Sequence, residues 1–156
     1  MIIDRLFFKN VEAVYDPKII SFCKAPYYKH PKGCPNWGKR DDCPPNAGHF
    51  ISIFKPTVSV VISRLDFIEY IDERRLLHPD WTERALRNPR HWQGQLRADL
   101  KRFVGEIKRE GQVPVFNPEA MGVNLFETCE NAGYILEKYP VSFVCMIALL
   151  ATIHPD

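Results

Sequence analysis

No stretch of this 156-residue chain is apolar for long enough to cross a membrane as a helix. The longest such run, Val141 to Ile153, contains the polar Ser142 and Thr152 and stops short of the roughly 20 residues that a span needs. The opening Met1-Ile2-Ile3-Asp4-Arg5 lacks the basic-then-apolar order and small-residue cleavage site of a secretory leader, so a cytoplasmic protein is expected. Also missing are a Gly-x-x-x-x-Gly-Lys phosphate loop, a Gly-x-Gly-x-x-Gly turn, a Gly-x-Ser-x-Gly elbow and a His-Glu-x-x-His helix. Their absence sets aside the commonest nucleotide-binding, hydrolase and metalloprotease readings. There is no internal repeat, no low-complexity segment and no dense block of one charge. The net charge is +2, with five Lys or Arg against two Asp between Cys23 and Cys43, eight basic against five acidic residues over 78 to 111, and a sum of −4 over the last 45 residues. Two segments of +3 each are too thin a stripe to make nucleic acid the first inference.

What remains is a chain that is 46% apolar, 26% charged and 12% aromatic, enough to build a core and of a length expected for a single domain, 1-156. Leu6-Phe7-Phe8 and Ile19-Ile20-Ser21-Phe22 suit short strands, the second ending at Cys23. Asn46 to Lys55 suits a short helix that presents Phe50, Ile53 and Phe54 and is stopped by Pro56. Thr57 to Ser63 is β-branched and apolar, as in a buried strand. Asp66 with Glu69, and Asp80 with Glu83, have the spacing of helix-starting boxes. From Asn88-Pro89 to Gly111, Trp92, Leu96, Leu100, Phe103, Val104 and Ile107 form one stripe of an amphipathic helix. Asn117-Pro118-Glu119 and Asn124 to Glu127 repeat the cap grammar, and Val141 to Ile153 suits a central strand. The expected fold class is α+β: a small mixed sheet, three to five helices packed on it, and a long Cys/Pro-rich loop.

That loop carries the chemistry. Lys24 to Pro45 holds five prolines and two glycines and almost no aliphatic side chain, and an irregular stretch of that length inside a compact domain is unusual unless something holds it. Three of the five cysteines, Cys23, Cys34 and Cys43, fall within or beside it. In a reducing compartment such clustering points to metal ligation before disulfide formation. Thiolates select zinc or iron–sulfur clusters over hard cations. A Cys3His zinc site would use His30 as the fourth ligand, with His49 a weaker substitute, but neither gap has the two-to-four-residue spacing of a zinc hook. An iron–sulfur cluster tolerates wider spacing, and three cysteines leave one iron to His30, to water or to a substrate. The five basic side chains of the loop would favour the thiolate form. Asp41-Asp42 beside Cys43 is a candidate acid/base pair, although adjacent loop carboxylates are usually only solvated. Cys129 and Cys145 sit alone among apolar residues and read as space-filling.

Cys34-Pro-Asn-Trp-Gly-Lys39 followed by Cys43-Pro-Pro45, with Cys23 upstream, resembles the pattern of a bacterial and archaeal family described as predicted metal-binding proteins. Pro118-Glu-Ala-Met-Gly-Val-Asn124, Phe126-Glu127-Thr128 and Asn131-Ala-Gly133 are similar to that family's closing segment, and the strand at 57 to 63 lies where the family has one. The likeness covers some 90 residues. It implies metal binding without implying a reaction. Two departures stand out: the first cysteine gap is longer, and the second cysteine cluster that members carry before the closing segment is absent from Glu110 to Asn117. The resemblance thus implies one centre here, held by Cys23, Cys34 and Cys43, where a family with two would have both.

The alternative is a zinc-stabilised module that binds nucleic acid or protein. His78, Trp81, Arg84, Arg87, Arg90, His91 and Trp92 form a basic, aromatic-containing stretch able in principle to contact phosphates and stack bases. A solvated helix face explains most of it, so a small-molecule or protein partner is expected ahead of nucleic acid, and no membrane. Whether the protein is an enzyme is left open by these residues.

Overall fold

The computed structural model describes residues 1–27 and 29–155. Strands β1 (Ile3–Glu12), β2 (Thr57–Asp66), β3 (Val113–Val115) and β4 (Phe143–Ala151) form a sheet of order β1-β2-β4-β3. Among the described residues there are six α-helices: α1 (Lys18–Ser21), α2 (Phe50–Ile53), α3 (Phe67–Leu77), α4 (Glu83–Leu86), α5 (Gln93–Ile107) and α6 (Leu125–Asn131). The α+β class holds, but the sheet is antiparallel rather than mixed. Backbone bonds Asp66 N to Ile2 O and Ala13 N to Pro56 O close opposite ends of the β1/β2 pair, and Phe67 N to Ser142 O with Lys55 N to Thr152 O do the same for β2/β4. Strand β3 runs antiparallel to β4, Val113 facing Ala151 and Val115 facing Leu149. Both central strands, β2 and β4, were legible as apolar runs, because a strand covered on two faces does not alternate.

The chain divides into two compact units. The first comprises Met1–Phe7, Val61–Ile107 and Leu136–Ile147. Its core gathers Leu65 of β2, Phe67, Tyr70 and Ile71 of α3, Leu86 of α4, Trp92, Leu96 of α5 and Val144 of β4. Helix α3 begins where the capping box placed it, Asp66 accepting from the Glu69 N–H at 3.1 Å. Helix α4 starts two residues later than Asp80 suggested, because Thr82 Oγ1 accepts from Ala85 N at 3.2 Å. The helix expected from Asn88 is interrupted. Asn88 caps a short 3-10 turn at Pro89–His91, Trp92 leaves helical geometry, and α5 begins at Gln93. The apolar stripe survives, with Leu96, Leu100 and Val104 buried.

The second unit comprises Phe8–Val60, Lys108–Ile135 and Ala148–Asp156. Residues 19–22, expected as a strand, are helical. The Asp16 carboxylate accepts from Lys18 N at 3.0 Å and its carbonyl from Ile19 N at 3.0 Å, turning the chain into α1 and then a 3-10 turn at Phe22–Lys24. Pro17 opens this helix in the αR conformation, which its ring tolerates at a first turn. Helix α2 is a single turn that buries Phe50 against Phe54, ring centroids 5.0 Å apart. Asn124 Oδ1 caps α6 through Glu127 N at 3.1 Å, and the buried Thr128 accepts from Val14 N at 3.0 Å. Among the described residues no helix is long and apolar enough to cross a membrane.

Candidate metal centre

The loop that follows Cys23 is irregular but laced. Cys34 N donates to Cys23 O at 2.7 Å, bringing the first two cysteines together through their backbones. Gly33 makes this crossing possible. Its φ is +85°, and a Cβ there would lie 2.5 Å from Cys23 O and 2.6 Å from Lys24 Cα, closer than any side chain can sit. The Cys34-Pro-Asn-Trp-Gly turn closes through Trp37 N to Cys34 O at 3.2 Å and is joined to the Cys43-Pro-Pro segment by Gly38 N to Pro44 O at 2.7 Å. Past Cys43 the chain turns again, Ala47 N donating to Cys43 O at 3.0 Å and Asn46 Nδ2 to Arg40 O at 3.2 Å. The proline-rich sequence therefore becomes a set of consecutive tight turns, one of which sets the Cys34 backbone against that of Cys23.

The three cysteines are not disulfide-bonded; Cys43 is buried, and Cys23 and Cys34 are half-buried. Their thiols lie within electrostatic reach. Burial pushes the Cys23 thiol up from its ordinary pKa, and negative charge on Cys34, Cys43 and Glu119 pushes it further the same way. Burial likewise raises Cys43, with Asp42 and Cys34 adding to the effect and Arg40 opposing it. Arg40 acts on Cys43 in the direction expected of the loop's basic side chains, but burial outweighs it. Arg40 is also held by Asp42 through two bonds of 2.9 and 3.1 Å, and Lys24 lies over the Trp37 ring at 4.3 Å. Among the described residues no three His, Cys, Asp or Glu side chains already stand as a metal-holding group. A metal would have to draw the sulfurs inward. The donor set itself is chemically suited, being soft and anionic on ionisation.

His30 makes a different set of contacts. Its ring meets that of Tyr27 at 4.6 Å, and the two residues exchange backbone bonds of 2.8 and 3.1 Å. His49 shares a 2.5 Å contact between Nδ1 and the Tyr15 hydroxyl. Asp42, offered as an acid/base group, is an ion-pair partner of Arg40. Cys129 is fully buried in α6, as a space-filling residue would be, while Cys145 in β4 is half-buried.

Two carboxylates of consequence were not singled out in the sequence. Glu119, seen there only as cap grammar, sits on the 3-10 turn Pro118–Met121. Loss of water around its carboxyl raises its pKa, although the residue as a whole is exposed. Asp99 lies three residues after Leu96 on the apolar stripe of α5, a spacing that would have revealed it. It is 5% exposed and accepts from Arg5 at 2.7 and 3.2 Å, from Ser63 at 2.9 Å and from Arg102 at 3.1 Å. The Arg5 guanidinium leads in holding its pKa down at about 2, against the opposing effect of burial.

In the basic stretch, Trp81 stacks with His78 at 3.8 Å and with His91 at 4.8 Å. Much of the ring surface that a base would need is therefore taken by imidazoles. Nearby, Arg84, Arg87, Asn88 and Pro89 line an open cavity of about 460 Å³. Arg87 faces Glu83 at 3.7 Å, and Glu83 also binds Arg75, so part of the positive charge is already compensated.

No family model, curated protein or solved structure matches the chain.

Proposed function

We propose that this protein holds one metal centre through Cys23, Cys34 and Cys43, an iron–sulfur cluster in preference to a zinc ion. The observation that carries the reading is the presence, without disulfide bonds, of three cysteines in and beside one turn-rich loop, the first two joined by the bond from Cys34 N to Cys23 O. Mutual repulsion makes such a group unfavourable to ionise unless a cation neutralises it. Metal binding drives the protons off and repays the crowding. Gaps of ten and eight residues between the cysteines suit a cluster several ångströms wide better than a single ion gripped by a short hook. Bound there, the centre would supply one-electron redox capacity or a Lewis acid at its non-cysteine position.

The test is anaerobic purification of the full chain followed by iron, zinc and acid-labile sulfide analysis and visible absorption. Iron and sulfide in matched amounts, with brown colour, support the cluster. Zinc with no sulfide moves the centre to the zinc form. A chain that takes up neither metal, as isolated or after anaerobic reconstitution, overturns the reading.

A further inference from the structure

Cys23 and Cys34 are joined by the fold itself, through their own main chain. The bond from Cys34 N to Cys23 O is 2.7 Å long; with a carbonyl oxygen about 2.4 Å and an amide nitrogen about 1.5 Å from its own Cα, the two Cα atoms are no more than about 6.6 Å apart. That limit falls inside the roughly 4.4–6.8 Å that disulfides span. Contacts on both sides of the bond hold the crossing. Between the cysteines, Tyr27 and His30 exchange backbone bonds of 2.8 and 3.1 Å, and Gly33 N donates to His30 O at 3.1 Å. Beyond Cys34, Lys24 Nζ stands over the Trp37 ring, 4.3 Å from its centroid, which ties the residue after Cys23 to the turn after Cys34. Gly33, itself buried, puts no side chain into the gap. Both cysteines carry free thiols and are half-buried, which leaves them open to a small oxidant. Cys43 is placed otherwise. It is buried, and its main-chain partners are its own sequence neighbours, its N–H donating to Arg40 O at 3.3 Å and its carbonyl accepting from Ala47.

We propose that Cys23 and Cys34 form a reversible disulfide, which makes the loop a thiol switch set by a hydroperoxide and reset by a dithiol. One sulfur, giving up its proton, attacks a peroxide oxygen; the O–O bond breaks, an alcohol or water leaves with that proton, and a sulfenic acid forms. The second sulfur then attacks the sulfenic sulfur. The S–S bond forms, the S–O bond breaks, and the hydroxyl leaves as water with the second thiol's proton. The two thiols give up two electrons, and the peroxide takes them. A dithiol reverses the change by exchange and ends as a disulfide itself. The Cys23–Cys34 bond rests on the backbone crossing alone. Its consequence rests on the three-cysteine reading above: oxidation takes away two of the three sulfur ligands, so a metal held there is released.

The test uses the reduced full chain, stripped of metal with a chelator and kept anaerobic until an equimolar amount of hydrogen peroxide is added. Trypsin cuts after Lys18, Lys24, Lys32, Lys39 and Arg40, so the three loop cysteines fall in separate peptides and each pairing has its own mass. The expected product joins residues 19–24 to 33–39, lowers the free thiols from five to three, and is undone by dithiothreitol. Cys43→Ser should give the same linkage. Gly33→Ala, whose Cβ would press on Cys23 O at 2.5 Å, should move the equilibrium in a glutathione buffer towards the free thiols, on the order of tenfold. Linkage through Cys43, crosslinked dimers alone, or sulfinic acids with no linked peptide would overturn the assignment. Zinc, which has no redox chemistry of its own, reads the consequence: peroxide should release it from the loaded chain in step with the linked peptide. Zinc retained while the linkage forms overturns the release step. A chain that takes up no metal at all removes the three-cysteine reading, and the peptide map still decides the disulfide.

Discussion

The Asp99 network and the cysteine loop handle charge in opposite ways. Around Asp99 the fold supplies two guanidinium groups and a hydroxyl, so that the charge is compensated within the chain and the carboxyl is held near pKa 2. In the cysteine loop, burial raises Cys23 and Cys43 and outweighs the pull of Arg40 on Cys43, while Arg40 also pairs with Asp42 and Lys24 lies over Trp37. A network whose charges already balance belongs to the architecture. Thiols that ionise only at a cost are, under the proposed reading, the groups that a cation from outside would satisfy.

The strongest way to break the contrast is to remove a sulfur. Cys34→Ser should abolish metal retention and loosen the 23-to-45 loop, because ligation and folding of such a segment are coupled. Cys129→Ser should leave metal content unchanged, and metal analysis with proteolysis of the loop reads both.

Next in size is the balanced site. Asp99→Ala strands Ser63 and two arginines and should cost about 3 kcal/mol of unfolding free energy in denaturant titration, less if the half-exposed Arg5 turns to water. The same carboxylate sets a pH dependence. Its folded pKa of about 2 lies below its ordinary 3.8, so the unfolded chain takes up the proton first. Its contribution, roughly 2 kcal/mol, is complete above about pH 4 and lost as pH falls towards 2. In Asp99→Asn that part of the acid-induced loss should vanish.

Gly33→Ala should follow, at about 1–3 kcal/mol locally. A Cβ placed against Cys23 O forces apart the crossing that joins the first two cysteines. Weaker metal retention with an unchanged core would separate this effect from global unfolding. The smallest change is Thr82→Ala, which removes the cap on α4 and should lower stability by about 0.5–1 kcal/mol without touching metal content.

Legibility in the sequence followed the range of the forces at work. Both central strands, the capped starts at Asp66 and Asn124, and the stripe of α5 rest on neighbours within a few residues, and all were readable. The strand reading at 19–22 failed because Asp16 and Pro17 start a helix whose apolar residues are too few to show a period. Strand β3, three residues with Pro114 in the middle, carries too weak a signal and exists because β4 offers it an edge. The cysteine loop was visible as composition. Its crossing at Gly33 and the contact of Asn117 with Asp42 depend on distant segments, which no local pattern encodes.

The central claim is that Cys23, Cys34 and Cys43 share a metal, and its most direct measurement is metal and acid-labile sulfide content per chain after anaerobic purification. One centre per chain, lost entirely in Cys34→Ser, is the result expected. Metal-free protein whose three loop thiols stay fully reactive towards a thiol reagent, even after incubation with iron and sulfide or with zinc, would contradict it.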